Sequence, residues 1–213
     1  ASEPNAFCEK WYLAAACDAV KPAGQARFAI VRSGDQLVGL MPLEIARGYA
    51  GLPVNVVGNW LNPNAFLGTP LVRAGYERPF WQALLSALDR TPMGALFFHA
   101  NALPVDGPVA QALESECVAQ GRRIGRVYRE ERALLEKGLS PADYLETHVR
   151  GKKRKEYRRQ HNRLSEEGAL AFERSDGRVA LDAWIEEFFA LERAGWKGQN
   201  DSALDCADDT RAL

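Results

Sequence analysis

The chain changes its hydrophobic period several times, and each change marks an element. Phe7, Trp11, Tyr12 and Ala15 recur at helical spacing behind the entry S-E-P-N-A-F, and Pro22 and Gly24 end that run. Residues 27–31 and 37–43 are β-rich runs on either side of Ser33-Gly34-Asp35-Gln36, which predicts a hairpin. Pro42 marks the second strand as an edge, or as a strand near its end. Residues 48–75 are rich in Gly, Pro and Asn and read as irregular, with strand-like pieces at 54–57 and 69–72. A loop of that length is a candidate cleft wall.

Pro79 then opens a helix with Phe80, Trp81, Leu84, Leu85 and Leu88 on one face, closed by Pro92 and Gly94. Residues 95–98 read as a buried strand. Asp106 is placed to cap the next helix, with Val109, Ala112, Leu113 and Cys117 turned inward and Gly121 as its left-handed stop. A strand region is expected over 124–135, and Ser140-Pro141 opens another helix. From 150 a strongly basic helix runs to Gly168, 169–174 reads as a short strand, and 179–194 as an amphipathic helix. Its expected buried stripe is Leu181, Trp184, Ile185, Phe188 and Leu191. Gly195 and Trp196 fit a Schellman ending, after which no element is evident. This order predicts an α/β (α+β) fold with helices covering a mostly continuous sheet.

Charge changes the picture more than composition does. The 213 residues are 46% hydrophobic, enough for a sizeable core, and the longest apolar runs are far too short to span a bilayer. No basic, apolar leader opens the chain, and four scattered cysteines without a C-x-x-C pair predict reduced thiols in a cytoplasmic protein and no structural zinc. The net charge is −1, yet residues 150–163, R-G-K-K-R-K-E-Y-R-R-Q-H-N-R, hold eight Lys/Arg and one acid. The rest of the chain carries 19 basic against 27 acidic residues, so positive charge is concentrated in one helix. On a 3.6-residue period Lys152, Lys155, Arg159 and Arg163 share one face, and only Tyr157 and Leu164 are apolar. Such a field faces an anion, and crowding like charges at i, i+4 disfavours the helix unless a partner compensates. The candidate anion- or substrate-binding residues are therefore Lys152, Lys153, Arg154, Lys155, Arg158 and Arg159, with Lys197 added from the G-W-K-G string. Tyr157 and Leu164 are expected to turn inward. The alternative for this helix is a solvated surface paired with the acidic remainder of the same protein.

Several strings carry a family likeness: S-E-P-N at the start, D-Q-L-V-G-L-M-P-L at 35–43 and G-T-P-L at 68–71. S-P-A-D-Y-L, then G-K-K-R-K-E-Y-R-R-Q-H-N-R-L-S-E-E-G, and L-E-R-A-G-W-K-G at 191–198 complete the set. In this order they resemble the cellulose-biosynthesis-associated (CelD-type) branch of the GNAT acetyltransferase superfamily, over nearly the whole chain and the first half or so of the family's usual length. The resemblance implies a GNAT-like mixed sheet with flanking helices, the first of two such halves. Residues 1–149 would form the N-terminal domain, and 150–213 would lead into the second half. It also implies acyl transfer from acetyl-CoA or another acyl-CoA in cellulose or exopolysaccharide biosynthesis, with the coenzyme held in the second half.

The residues themselves name no catalytic group. The string nearest a coenzyme pyrophosphate turn, Arg122 to Val127, has Val where a small residue belongs and leads toward a strand rather than a helix. No G-x-G-x-x-G and no P-loop occur. His99, His148 and His161 lack an evident carboxylate partner or nucleophile in sequence. Turn chemistry accounts for Asn59, Asn62 and Asn101. Partner classes are thus an anionic small molecule, an acyl-CoA-binding second half, or a nucleic acid. A single tyrosine within the basic run disfavours nucleic acid. A non-enzymatic polyanion-binding module, or an aminoacyl transferase of two-half GNAT-like type that meets tRNA, are the competing readings.

Overall fold

Two tight hairpins build the sheet in a computed structural model of the chain, which describes residues 1–20, 26–91, 94–133, 138–174 and 180–212. Strand β1 (Ala26–Ser33) turns at Gly34-Asp35 into β2 (Gln36–Tyr49), with Gly34 at φ +58°. β2 turns at Ala50-Gly51 into β3 (Leu52–Asn59); both loop residues have positive φ, the backbone that matches a two-residue turn to strand twist. Ala adopts that conformation rarely, so this turn was hidden in a stretch that reads as irregular, and the irregular part shrinks to 60–70 and 73–75. Strand β4 (Leu71–Val72) pairs with β2, and β5 (Phe97–His99) runs parallel to β3, giving the order β1-β2-β3-β5.

β2 is therefore central and not an edge. Pro42 is tolerated because β4 pairs with Gly39 and Leu40, β3 pairs from Leu43 onward, and Pro42 lies between the two stretches. Its carbonyl accepts the Trp60 N–H at 2.9 Å.

Alternation along β2 sends neighbouring side chains to opposite faces. Met41 and Leu43 join Phe80, Trp81, Leu84 and Leu85 of α2 (Glu77–Arg90) and Val109, Leu113 and Cys117 of α3 (Pro108–Ala119) in the main core. Leu40 instead packs on the cluster of Leu13, Ala16, Val20 and Trp60, to which α1 (Lys10–Ala19) contributes. The fold is thus a mixed sheet covered by helices on both faces, an α+β arrangement.

Local departures have local causes. α3 is capped by Gly107 and not by Asp106, because the Glu3 carboxylate accepts the Val109 N–H at 2.9 Å and supplies the missing acceptor. Gly121 does take φ +65° after α3. The segment expected as a buried strand at 95–98 is only half-buried: Ala95 and Phe98 pack against the main core, Leu96 is 72% exposed, and β5 covers only three residues at the sheet margin. Residues 122–133 and 169–174 are irregular rather than strands. The expected stops at Pro22 and Pro92, the start at Val179 and the end of the 124–135 run lie outside the described residues.

By proximity the residues gather into two units, 1–125 with 187–213, and 126–186. The expected boundary at 149/150 falls inside the second. In that second unit Ser140 caps α4 (Pro141–His148) by accepting the Asp143 N–H at 3.2 Å, and α5 (Gly151–Glu167) is the basic helix. α6 (Leu181–Ala194) crosses the division. Its stripe of Leu181, Trp184, Ile185, Phe188 and Leu191 is exposed and only Phe189 is buried, contrary to expectation. Gly195 is extended (φ −87°, ψ −170°) and caps the short α7 (Trp196–Gln199), so no Schellman motif forms and Trp196 is 67% exposed. A further helix, α8 (Asp208–Ala212), follows where no element was evident.

Candidate functional site

α5 carries its charge in the open. Lys152, Lys153, Lys155, Arg158, Arg159 and Arg163 are exposed, and Arg154 is half-buried. Tyr157 and Leu164 are exposed as well, contrary to the expectation that they turn inward, because α5 has no buried position.

The cations divide by what they touch. Arg154 reaches back one helix: its Nη1 donates to the carbonyls of Leu145, Glu146 and Val149 at 3.1, 3.0 and 2.7 Å. These are carbonyls at and just beyond the C-terminal turn of α4, where helix acceptors lack intrahelical donors and the dipole favours a cation. Arg154 therefore fixes the start of α5 against the end of α4. Arg159 Nη2 pairs with Glu156 Oε1 at 2.8 Å, and the Gln160 amide donates to the same oxygen. The Arg159 hydrogen bond holds the Glu156 carboxyl below its ordinary range. Lys153 Nζ sits 5.3 Å from the Tyr157 ring centroid, a cation–π contact. Lys152, Lys155, Arg158 and Arg163 have no such partner among the described residues.

Lys197 is placed elsewhere, in the larger unit, and is occupied. Its ammonium pairs with Glu192, whose other oxygen accepts the Leu204 N–H at 2.7 Å. That backbone bond, more than Lys197, keeps the Glu192 carboxyl below its ordinary range. Lys197 thus ties α7 to α6, and Glu192 ties α6 to the chain that follows α7.

The histidines are held by rings. His161 stacks on Phe172, His148 lies against Tyr144, and His99 meets Tyr49 edge-on. None is hydrogen-bonded to a carboxylate among the described residues. Partial burial lowers the His99 pKa and favours its neutral form.

Sequence reasoning missed a buried asparagine scaffold under residues 60–70. Asn59 donates to the carbonyls of Gly68 and Asn101 at 3.1 and 3.0 Å and accepts the Asn101 N–H at 2.7 Å. Asn5 donates to the Thr69 carbonyl at 2.6 Å and accepts the Phe7 N–H. The Tyr12 hydroxyl donates to Asn62 at 3.1 Å. Asparagine in a Gly/Pro-rich stretch reads as turn chemistry, and nothing local distinguishes a buried one. The loop does wall a cavity, with Cys8, Asn59, Trp60, Asn62 and Gly68 among its lining, but its volume is ≈ 10 Å³. That admits about one water and no ligand. Burial pushes the Cys8 thiol up to about 11, so this cavity holds no thiolate nucleophile.

Among the described residues no cluster of His, Cys, Asp or Glu could hold a metal ion, and no helix is long and apolar enough to cross a membrane. Comparison with family models, with curated proteins and with solved structures gave no match.

Proposed function

We propose that this chain is the N-terminal portion of an acyl-CoA-dependent acyltransferase of the GNAT type, associated with cellulose or exopolysaccharide biosynthesis, and that it engages an anionic partner through α5. The ordered strings and the mixed sheet with helices on both faces support the acyltransferase reading. One observation carries the anion-docking reading: α5 presents exposed cations along its length, and Glu156 is the only acid among residues 150–163.

The Arg122-to-Val127 string offers no coenzyme turn. Residues 126–133 are irregular after the Arg122-to-Val127 string, so no helix N-terminus faces a pyrophosphate there, and Arg122 is engaged with Asp89. By the resemblance, acyl-CoA would be held by a second half of the same type. No catalytic step is assigned to residues of this chain.

Calorimetric titration should therefore show weak binding of acetyl-CoA or none, and tight one-to-one binding would refute this placement. The double substitution Arg158→Glu and Arg159→Glu should leave Tm nearly unchanged, since exposed ion pairs contribute only about 0–1 kcal/mol. It should reduce salt-dependent binding to a phosphate-bearing ligand. Unfolding of that variant would instead make these side chains structural and end the docking reading.

A further inference from the structure

We propose that α5 takes a linear chain of phosphates, laid lengthwise along Lys152, Lys155, Arg158 and Arg163 and recognised through charge alone. The proposal rests on the anion-docking reading above and specifies its partner.

The geometry excludes a compact anion. At 1.5 Å of rise per residue, Lys152 and Arg163 stand about 16 Å apart along the axis, and the four cations fall within an arc of about 140°. They sit on a convex helix surface and converge on no common point, so a single phosphate could meet one or two of them. A chain meets all four in succession. The row has defined ends: Glu166 and Glu167 follow Arg163 within the helix, while the positive end of the helix dipole lies at Lys152. An anionic chain is thus favoured along residues 152–163 and repelled beyond Arg163.

The other cations within the helix itself are engaged. Arg154 is bound to three carbonyls of the α4 end. Arg159 forms a neutral pair with Glu156, and Lys153 lies over Tyr157 outside the arc.

The same arc discriminates among polyanions. Between the four cations it carries Asn162, Arg159 and Glu166 and no aromatic or apolar side chain, so a nucleic acid would gain nothing from its bases. Tyr157 and Leu164 lie on the opposite side of the helix. Resting on a bilayer by that side would turn the four cations away from the headgroups.

The test is equilibrium binding of the full chain to fluorescently labelled inorganic polyphosphate, followed against salt concentration. Neutralising four phosphates gives a slope of log K against log[salt] of about −2.8 by the single-strand rule, or roughly a 50-fold loss between 50 and 200 mM salt. The quadruple variant K152Q/K155Q/R158Q/R163Q should abolish the salt-dependent binding, whereas K153Q, outside the arc, should keep the slope. If the quadruple variant fails to fold by circular dichroism, single variants K152Q and R163Q serve instead, each lowering the slope by about 0.7. A slope unchanged in those variants would overturn the proposal. Tripolyphosphate binding as tightly as the long chain would overturn the linear arrangement while leaving anion docking intact. Tighter binding of an oligothymidylate than of polyphosphate would show that bases are read, and would also overturn it. Absence of binding to every phosphate ligand would remove both this proposal and the docking reading beneath it.

Discussion

Gly39 stands in β2 directly under the Phe80 ring, and a Cβ built there would lie 2.2 Å from Phe80 Cδ2. Phe80 is fully buried between Met41, Trp81 and the rest of the main core, so the ring has nowhere to go. Interiors packed to this density do not absorb an added methyl without moving side chains off their rotamers. The substitution Gly39→Ala should cost about 1–3 kcal/mol, read as a lower urea midpoint with an unchanged m-value. An unchanged midpoint would mean that the ring slides aside and that the sheet–helix interface is looser than its burial indicates. Glycine is required here by space rather than by backbone conformation, which no turn signature in the sequence could reveal.

At the scale of elements, the start of α3 depends on a residue more than a hundred positions away. Glu3 accepts the Val109 N–H, and the same carboxylate occupies the space beside Gly107 where a side chain would go. Replacing Glu3 with Ala leaves an N-terminal donor of α3 without its acceptor and should cost about 1 kcal/mol, whereas Glu3→Gln, which keeps an acceptor oxygen, should recover most of it. Equal losses in the two variants by thermal unfolding would show that charge, and not the hydrogen bond, holds the cap. This kind of contact also marks the limit of reading elements from sequence. The β1–β2 hairpin, the apolar face of α2, the Ser140 cap and the extent of α5 were legible because each is specified within a few residues. The strand expected at 124–135 was not formed in its described part, although Ile124, Val127 and Tyr128 favour strands. Such propensity measures fit to a pleated, half-buried surface, and Val127 and Tyr128 are 70% and 75% exposed. Periodicity likewise gave α6 an apolar stripe without saying what covers it. The charge of the candidate site was legible in composition, but the split between engaged and free cations was not. That split depends on Arg154 reaching the end of α4, which only coordinates show.

At the scale of the whole molecule, burial is unevenly shared. Both hydrophobic clusters lie in the unit of residues 1–125 with 187–213, whereas none of the described residues from 126 to 186 is buried. A segment without buried apolar contacts opens at little free-energy cost, independently of global unfolding. Local opening is also what a protease needs, and α5 presents the densest set of Lys and Arg in the chain. Brief trypsin treatment under native conditions should therefore cut first within 150–163, before the Lys and Arg of the sheet and of α2. Mass spectrometry of the early fragments reads this directly. Saturating polyphosphate should slow those first cuts, because its phosphates cover the side chains that trypsin must bind, and high salt should restore them as the charges are screened. Early cuts between 26 and 59 would show that the sheet, and not the helical segment, is the least stable part of the molecule. Polyphosphate that slowed cleavage equally at every site would indicate inhibition of the protease rather than occupation of α5.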